Sequence, residues 1–386
     1  MTAPRGEKYI LNLREFGGAL GDLGTLLPLM LGCLAVAGLA PMPVLLGFAV
    51  FYIATGLYYR LPIPVQPMKA VAAVLLTTQM SPEALAASGV MLGAALLLLG
   101  ATGWIGRLAR LVPQSVLAGL QLGLGIALAL FSLDLMAGAP VLGLVVLVLL
   151  LVLLPLQRCP AALVALTAAV VLAPLFGAPG LEITVLPAAA FALPSWPGLV
   201  EIERSLSLLV LPQLALTFTN AVVLTALVAG DCFGERAAHV TPARLSITSG
   251  LANLLLTPFG ALPMCHGAGG VAAHYRFGAR SSTAPLLLGL ALLVLALLPG
   301  AAGVALLAAI PLAGLGALLL LAAGELALSR RLFDCRASCW PVIAVTAAAT
   351  VWADPFWGLV AGGAAEVLRR LVLRLLQRDA RSDSRP

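Results

Sequence analysis

Long apolar runs dominate the chain, broken at intervals by single charges, prolines and glycines. A membrane-crossing helix takes about 20 predominantly apolar residues. Runs of this kind fall at about 15–37, 41–59, 64–79, 84–103, 109–132, 139–157 and 160–177. After a polar-rimmed stretch they resume at about 205–230, 243–257, 264–277, 283–300, 304–328, 338–352 and 354–377. The pattern predicts an all-α polytopic membrane protein with about 14 transmembrane segments. Residues 1–15 lack the apolar core of a signal peptide, so the first run is expected to stay in the mature chain.

Two runs, third and tenth in order, are too short to cross a bilayer as straight helices at 1.5 Å per residue. They begin at Pro64 and Pro263, and their sequences correspond loosely: Ile63-Pro64-Val65-Gln66-Pro67-Met68-Lys69 against Leu262-Pro263-Met264-Cys265-His266-Gly267-Ala268. Each leads into small residues, Ala70-Val71-Ala72-Ala73 and Gly270-Val271-Ala272-Ala273. Seven runs per half is an odd number, so the second copy is inverted and the chain reads as a 7+7 inverted repeat. Short, Pro/Gly-interrupted segments at matching places in two inverted halves point to a transporter's midplane site.

Composition narrows the class. Of 386 residues 61% are hydrophobic and 10% charged, against about 25% charged in soluble domains. Mean hydropathy is +1.08. Soluble enzymes, nucleic-acid readers and secreted disulfide scaffolds are excluded, and the bilayer is the expected partner. The formal charge of +6 does not imply an acidic partner. With both termini cytoplasmic, all but Arg204 and Lys69 of the 22 Lys and Arg fall on the cytoplasmic side, as the positive-inside rule requires. The expected location is the plasma (inner) membrane. Six cysteines form no CxxC pair, and neither Cys265-His266 nor Cys335/Cys339 has the further ligands a metal needs. GxSxG, HExxH and Walker A patterns are absent, so neither an enzyme nor an ATP-driven pump is expected, and no cofactor.

A half-helix that begins inside the membrane points free N–H groups and a positive dipole end at the interior, which suits a small anion. Pro64 or Pro67, and Pro263, fit a first helical turn, and Gly267, Gly269 and Gly270 admit close backbone approach. Lys69 either supplies a full positive charge to the site or snorkels to the interface. Asp22, in Gly17-Gly18-Ala19-Leu20-Gly21-Asp22-Leu23-Gly24-Thr25, either carries a coupled proton or caps a broken helix and pairs with a cation. Gln213, Thr217 and Asn220 share one helix face and serve as ligands or as interhelical links. His266 is a donor to an oxyanion or a structural histidine. Glu325, close to Arg330 and Arg331, reads as an interfacial ion pair.

The segments Gly18–Thr25, Pro64–Ala70, Leu211–Leu214 with Thr219–Ala221, and Pro263–Gly270 resemble the signatures of the molybdate transporter type 1 family, a branch related to the sulfate permeases. The resemblance implies the fold of sulfate and uracil permeases and uptake of molybdate, with sulfate as the near alternative. It implies a substrate-carrying core (1–105 and 205–300) and a gate (106–177 and 301–378). An extracytoplasmic linker (178–204) and a cytoplasmic tail (379–386) complete the division. The oxyanion is expected between the starts of the third and tenth segments, near Gln66, Lys69, His266 and Gly267, with Thr25, Gln213 and Asn220 from the first and eighth. Asp22 is the proton-coupling candidate, and a homodimer through the gate is an expectation of the resemblance alone. A passive anion channel on the same scaffold is the competing reading. A nucleobase carrier fits less well, since Gln213 and Asn220 are neutral where that family usually has acidic residues.

Overall fold

The computed structural model describes residues 9–382 apart from 38, 79, 108–112, 157–158, 181–196 and 299–307. Most of the expected linker and the last four residues of the tail lie outside the described residues, as do Arg5, Lys8, Arg110, Arg158 and Arg385.

Helix α1 (Leu13–Leu20) opens on Asn12, whose side chain accepts from the Glu15 N–H at 2.8 Å. It ends at Gly21-Asp22, and α2 (Leu23–Val36) continues at an angle of 43°. The first apolar run is therefore one bent element, broken at its glycine-rich stretch. Helix α3 (Pro41–Tyr59) begins with proline in its first turn, where no N–H is needed. It stops at Arg60, which adopts a left-handed conformation with φ 52°. Pro62 and Pro64 then keep the chain extended. Gln66–Pro67 forms strand β1, followed by the nine-residue helix α4 (Lys69–Thr77). Ser81 caps α5 (Pro82–Ala101) by accepting from the Ala84 N–H at 3.1 Å. Helices α6 (Gln114–Ala137), α7 (Pro140–Leu153) and α8 (Ala161–Leu172) follow.

The later half begins with α9 (Leu199–Ala237), whose segments Ser205–Val210 and Thr217–Leu224 have the wider π-helical turn. Then come α10 (Pro242–Leu256), strand β2 (Met264–Cys265), α11 (Ala268–Phe277) and α12 (Thr283–Leu297). The chain continues through α13 (Leu312–Ala327), the single turn α14 (Arg330–Phe333), α15 (Trp340–Trp352) and α16 (Pro355–Ser382). Among the described residues α3, α5, α6 and α9 are each long and apolar enough to cross a membrane, as is the bent pair α1–α2. The apolar helices α7, α8, α12, α13 and α15 are shorter. At 1.5 Å per residue α4 and α11 cover about half a bilayer each.

Helix α10 packs along α5, α12 along α3, and both α13 and α15 along α6. Small residues allow the close approach that membrane helices use. A Cβ on Gly93 of α5 or Gly250 of α10 would sit 2.9 Å from the other's carbonyl oxygen. Apolar side chains such as Leu133, Val141, Leu144 and Leu151 face outward, as a lipid solvent permits.

Strands β1 and β2 pair antiparallel, Gln66 opposite Cys265 and Pro67 opposite Met264. The Met68 N–H donates to the Pro263 carbonyl at 3.0 Å. So short a ladder in an apolar interior leaves backbone groups to be satisfied elsewhere. Asn253 of α10 does this, accepting from the Met264 N–H at 2.8 Å and donating to the Met264 carbonyl at 2.6 Å. The strand pair therefore fixes the starts of α4 and α11 beside each other.

Candidate functional site

A cavity of about 300 Å³ lies where α4 and α11 begin. Its walls include Gln66 and Lys69 from the first half, and Gln213, Thr217 and Asn220 from α9. Cys265, His266 and Gly267 come from the second extended segment. Six of the seven residues expected to bind substrate therefore surround one space. Thr25 stands apart: it lines a small adjoining void of about 10 Å³ together with Lys69 and Glu325.

The two half-helix ends differ. Gln213 caps α4, its Oε1 accepting from the Ala70 N–H at 2.9 Å and the Val71 N–H at 3.3 Å. Its Nε2 donates to Thr217 Oγ1 at 2.8 Å, which fixes the amide's orientation. Among the described residues no side-chain hydrogen bond caps α11, and Gly267, Ala268 and Gly269 of its first turn line the cavity. The α11 end thus presents free N–H groups to the cavity. Lys69, at the start of α4, adds a full positive charge.

Gln66 is buried and donates through Nε2 to Asp22 Oδ1, while Tyr52 donates to Asp22 Oδ2 at 2.8 Å. Both Asp22 oxygens are thereby used, and Asp22 is absent from the cavity wall. It stands at the α1–α2 break, pressed against the first turn of α11. A Cβ on Gly270 would meet Asp22 Oδ1 at 2.5 Å and Gln66 Nε2 at 2.7 Å. Asp22 thus orients Gln66; it forms no ion pair with Lys69 among the described residues.

His266 is buried with both ring nitrogens engaged, Nδ1 against the Pro64 carbonyl at 2.9 Å and Nε2 against Thr248 Oγ1 at 2.9 Å. A carbonyl only accepts, so Nδ1 carries a hydrogen. The ring packs against Phe51 and Tyr59. Its place in the wall comes with no nitrogen free to face an anion.

Other wall residues were not legible as such. Gln121 of α6 lines the cavity, its Oε1 buried without a partner; an amide in an otherwise apolar run was the available signal. Ser329, Arg330 and Arg331 line the space beyond the end of α13. Burial pulls the Arg331 guanidinium down to about 10, which leaves it cationic at neutral pH. Glu325 corrects an expectation. Among the described residues it forms no ion pair with Arg330, because the chain leaves α13 at Leu328 and turns into α14. Its exposed side chain faces the cavity instead.

A helical membrane protein whose two broken elements begin at one cavity, with amides and Lys69 in its wall, has the build of a membrane transporter. In fold, the chain is similar to the transmembrane domain of a cyanobacterial bicarbonate transporter, BicA, with a TM-score of 0.65 over 90% of this chain and 98% of that one, at 18% identity. In sequence, residues 14–128 and 205–326 match the family described as molybdate transporter of the MFS superfamily. Molybdate transporter 1 of Arabidopsis thaliana is 32% identical, over 75% of this chain and 74% of its own length. Molybdate transporter 2 of the same plant is 30% identical, over 74% and 72%. The chain belongs to the molybdate transporter family, and its activity is transport rather than catalysis.

Proposed function

We propose that the protein is a secondary-active carrier that takes up molybdate as a tetrahedral oxyanion, seated between the starts of α4 and α11. The observation that carries this reading is the uncapped first turn of α11 facing Lys69 across one cavity. Together they supply dipole and charge to a dianion without a ring of basic side chains. Asn220 adds a neutral donor, while Gln66, its Nε2 given to Asp22, shapes the wall between the two helix starts. The names of the Arabidopsis relatives favour molybdate over sulfate.

In this reading the chain crosses the membrane about 14 times as two inverted repeats of seven. Two features support the repeat. Strands β1 and β2 occupy matching places and pair. Tyr52 and Asn253, at equal distance from the prolines that open α3 and α10, both reach inward to the broken elements. Residues 1–105 and 205–300 form the moving core, and 106–177 and 301–378 the gate. Both termini are cytoplasmic in the plasma membrane, so the cavity, reaching Arg330 and Arg331, opens to the cytoplasm.

The test is uptake of labelled molybdate by cells carrying the protein, with tungstate, sulfate and uracil as competitors. Molybdate and tungstate are expected to compete strongly, sulfate weakly and uracil not at all. Lys69→Ala is expected to abolish saturable uptake. Full uptake by that variant would overturn the site, and non-saturating currents would favour a channel.

A further inference from the structure

We infer that Glu325, on the gate helix α13, is the group that takes up a proton when the oxyanion binds, coupling transport to a pH gradient. The inference rests on the oxyanion site proposed above and deepens it. Among the residues lining the cavity, Glu325 is the carboxylate. Its side chain is exposed to that space and forms no ion pair among the described residues. Lys69 faces the same cavity and the same adjoining void, from the opposite side of the core–gate boundary.

The neighbours of Glu325 define its electrostatics. From α4 it faces Lys69; from the turn after its own helix, Arg330 and Arg331. Helix α6 contributes the neutral Gln121 to the cavity. Its acidic residue, Asp134, lies in its last turn, toward the end of α6 that packs on Gly316 near the start of α13. Helix α2 offers the buried thiol of Cys33, and α7 and α8 carry no titratable group. Asp22 lies within electrostatic reach of both Lys69 and Glu325. Across the cavity stand Cys265 and His266, the latter with both nitrogens engaged.

Asp22 is poorly placed to cycle a proton, because Gln66 and Tyr52 both donate to it and hold it as an acceptor. Glu325 has no such donors among the described residues. In the empty cavity its carboxylate balances Lys69. A dianion arriving at α11 takes over Lys69 and repels an ionised Glu325. Glu325 then accepts one proton from the aqueous phase to which the cavity opens, becoming a neutral acid that can donate to an anion oxygen. As the core carries the anion away from the gate helix, Glu325 ionises again and releases the proton to the phase that the anion enters. One proton therefore travels with each oxyanion, and no bond other than O–H forms or breaks.

Purified transporter in detergent is titrated with sodium molybdate by calorimetry at neutral to alkaline pH, in buffers of different ionisation heat. Wild type is expected to take up about one proton per anion, with affinity falling about tenfold per unit rise of pH. Glu325→Gln is expected to bind molybdate with no proton uptake and a flat pH profile. In proteoliposomes it should exchange labelled for unlabelled molybdate while losing accumulation driven by an imposed pH gradient. Glu325→Asp, which keeps a carboxyl, should restore proton uptake. Proton uptake retained by Glu325→Gln, or pH-independent binding by wild type, would overturn the coupling role and leave the site standing. Unchanged binding by Lys69→Ala would overturn the site itself.

Discussion

Gln213→Glu separates the helix cap from the anion site, because it improves one and damages the other. The change keeps the side chain's shape and replaces an amide by a carboxylate. Gln213 Oε1 already accepts from the Ala70 and Val71 N–H groups at 2.9 and 3.3 Å. A carboxylate there makes charge-assisted bonds and faces the positive end of α4, worth about 2 kcal/mol or more together, which offsets the cost of desolvating a charge at this buried position. Thr217 can turn its hydroxyl to donate where it now accepts from Nε2 at 2.8 Å. The fold should therefore melt no lower than wild type. An incoming dianion meets the opposite effect. A unit charge at about 6 Å with an effective dielectric of about 20 contributes about 3 kcal/mol, so a dianion is disfavoured by about 5–6 kcal/mol. If water in the cavity screens half of this, about 2–3 kcal/mol remains, a loss in affinity of about 100-fold. Thermal melting of the purified protein and calorimetric titration with molybdate at alkaline pH read the two effects separately. Wild-type affinity in this variant would refute the placement of the anion beside α4. A melting temperature well below wild type would refute the capping argument.

Two further substitutions probe the framework around the site. Gly270→Ala places a Cβ 2.5–2.7 Å from Asp22 Oδ1, Pro64 Cβ and Gln66 Nε2. Overpacking of this kind costs about 1–3 kcal/mol, so melting should fall and uptake should be lost with the displaced Gln66. Gly269→Ala meets nothing within 4 Å and should melt like wild type. Asn253→Leu strips the Met264 N–H and carbonyl of their partner inside an apolar core. At about 1–3 kcal/mol for each orphaned group, the expected loss exceeds that of Gly270→Ala, and a melt at the wild-type temperature would contradict it.

What the sequence made legible, and what it hid, follows from the range of the interactions involved. Prolines, glycines and run length act locally, so the broken elements at Pro64 and Pro263 could be read from the chain, as could the kinked glycine stretch before Asp22. Shared faces are also local: Gln213, Thr217 and Asn220 do line one space, although α9 widens to π turns between them. Pairings across the repeat are not local. Asp22 is committed by Gln66 and Tyr52, which come from two other elements. The α4 cap arrives from Gln213, far along the chain, so nothing near Lys69 announces that its helix end is already satisfied. Sequence symmetry therefore overstated the likeness of the two half-helices. The inverted halves supply matching strands, but Gln213 fills the first turn of α4, and the first turn of α11 has glycines and no capping side chain. An anion between them is held unequally, by free backbone amides on the α11 side and by the Lys69 ammonium on the α4 side. A cap on one end leaves a single preferred position for the anion, where two open ends would compete for it.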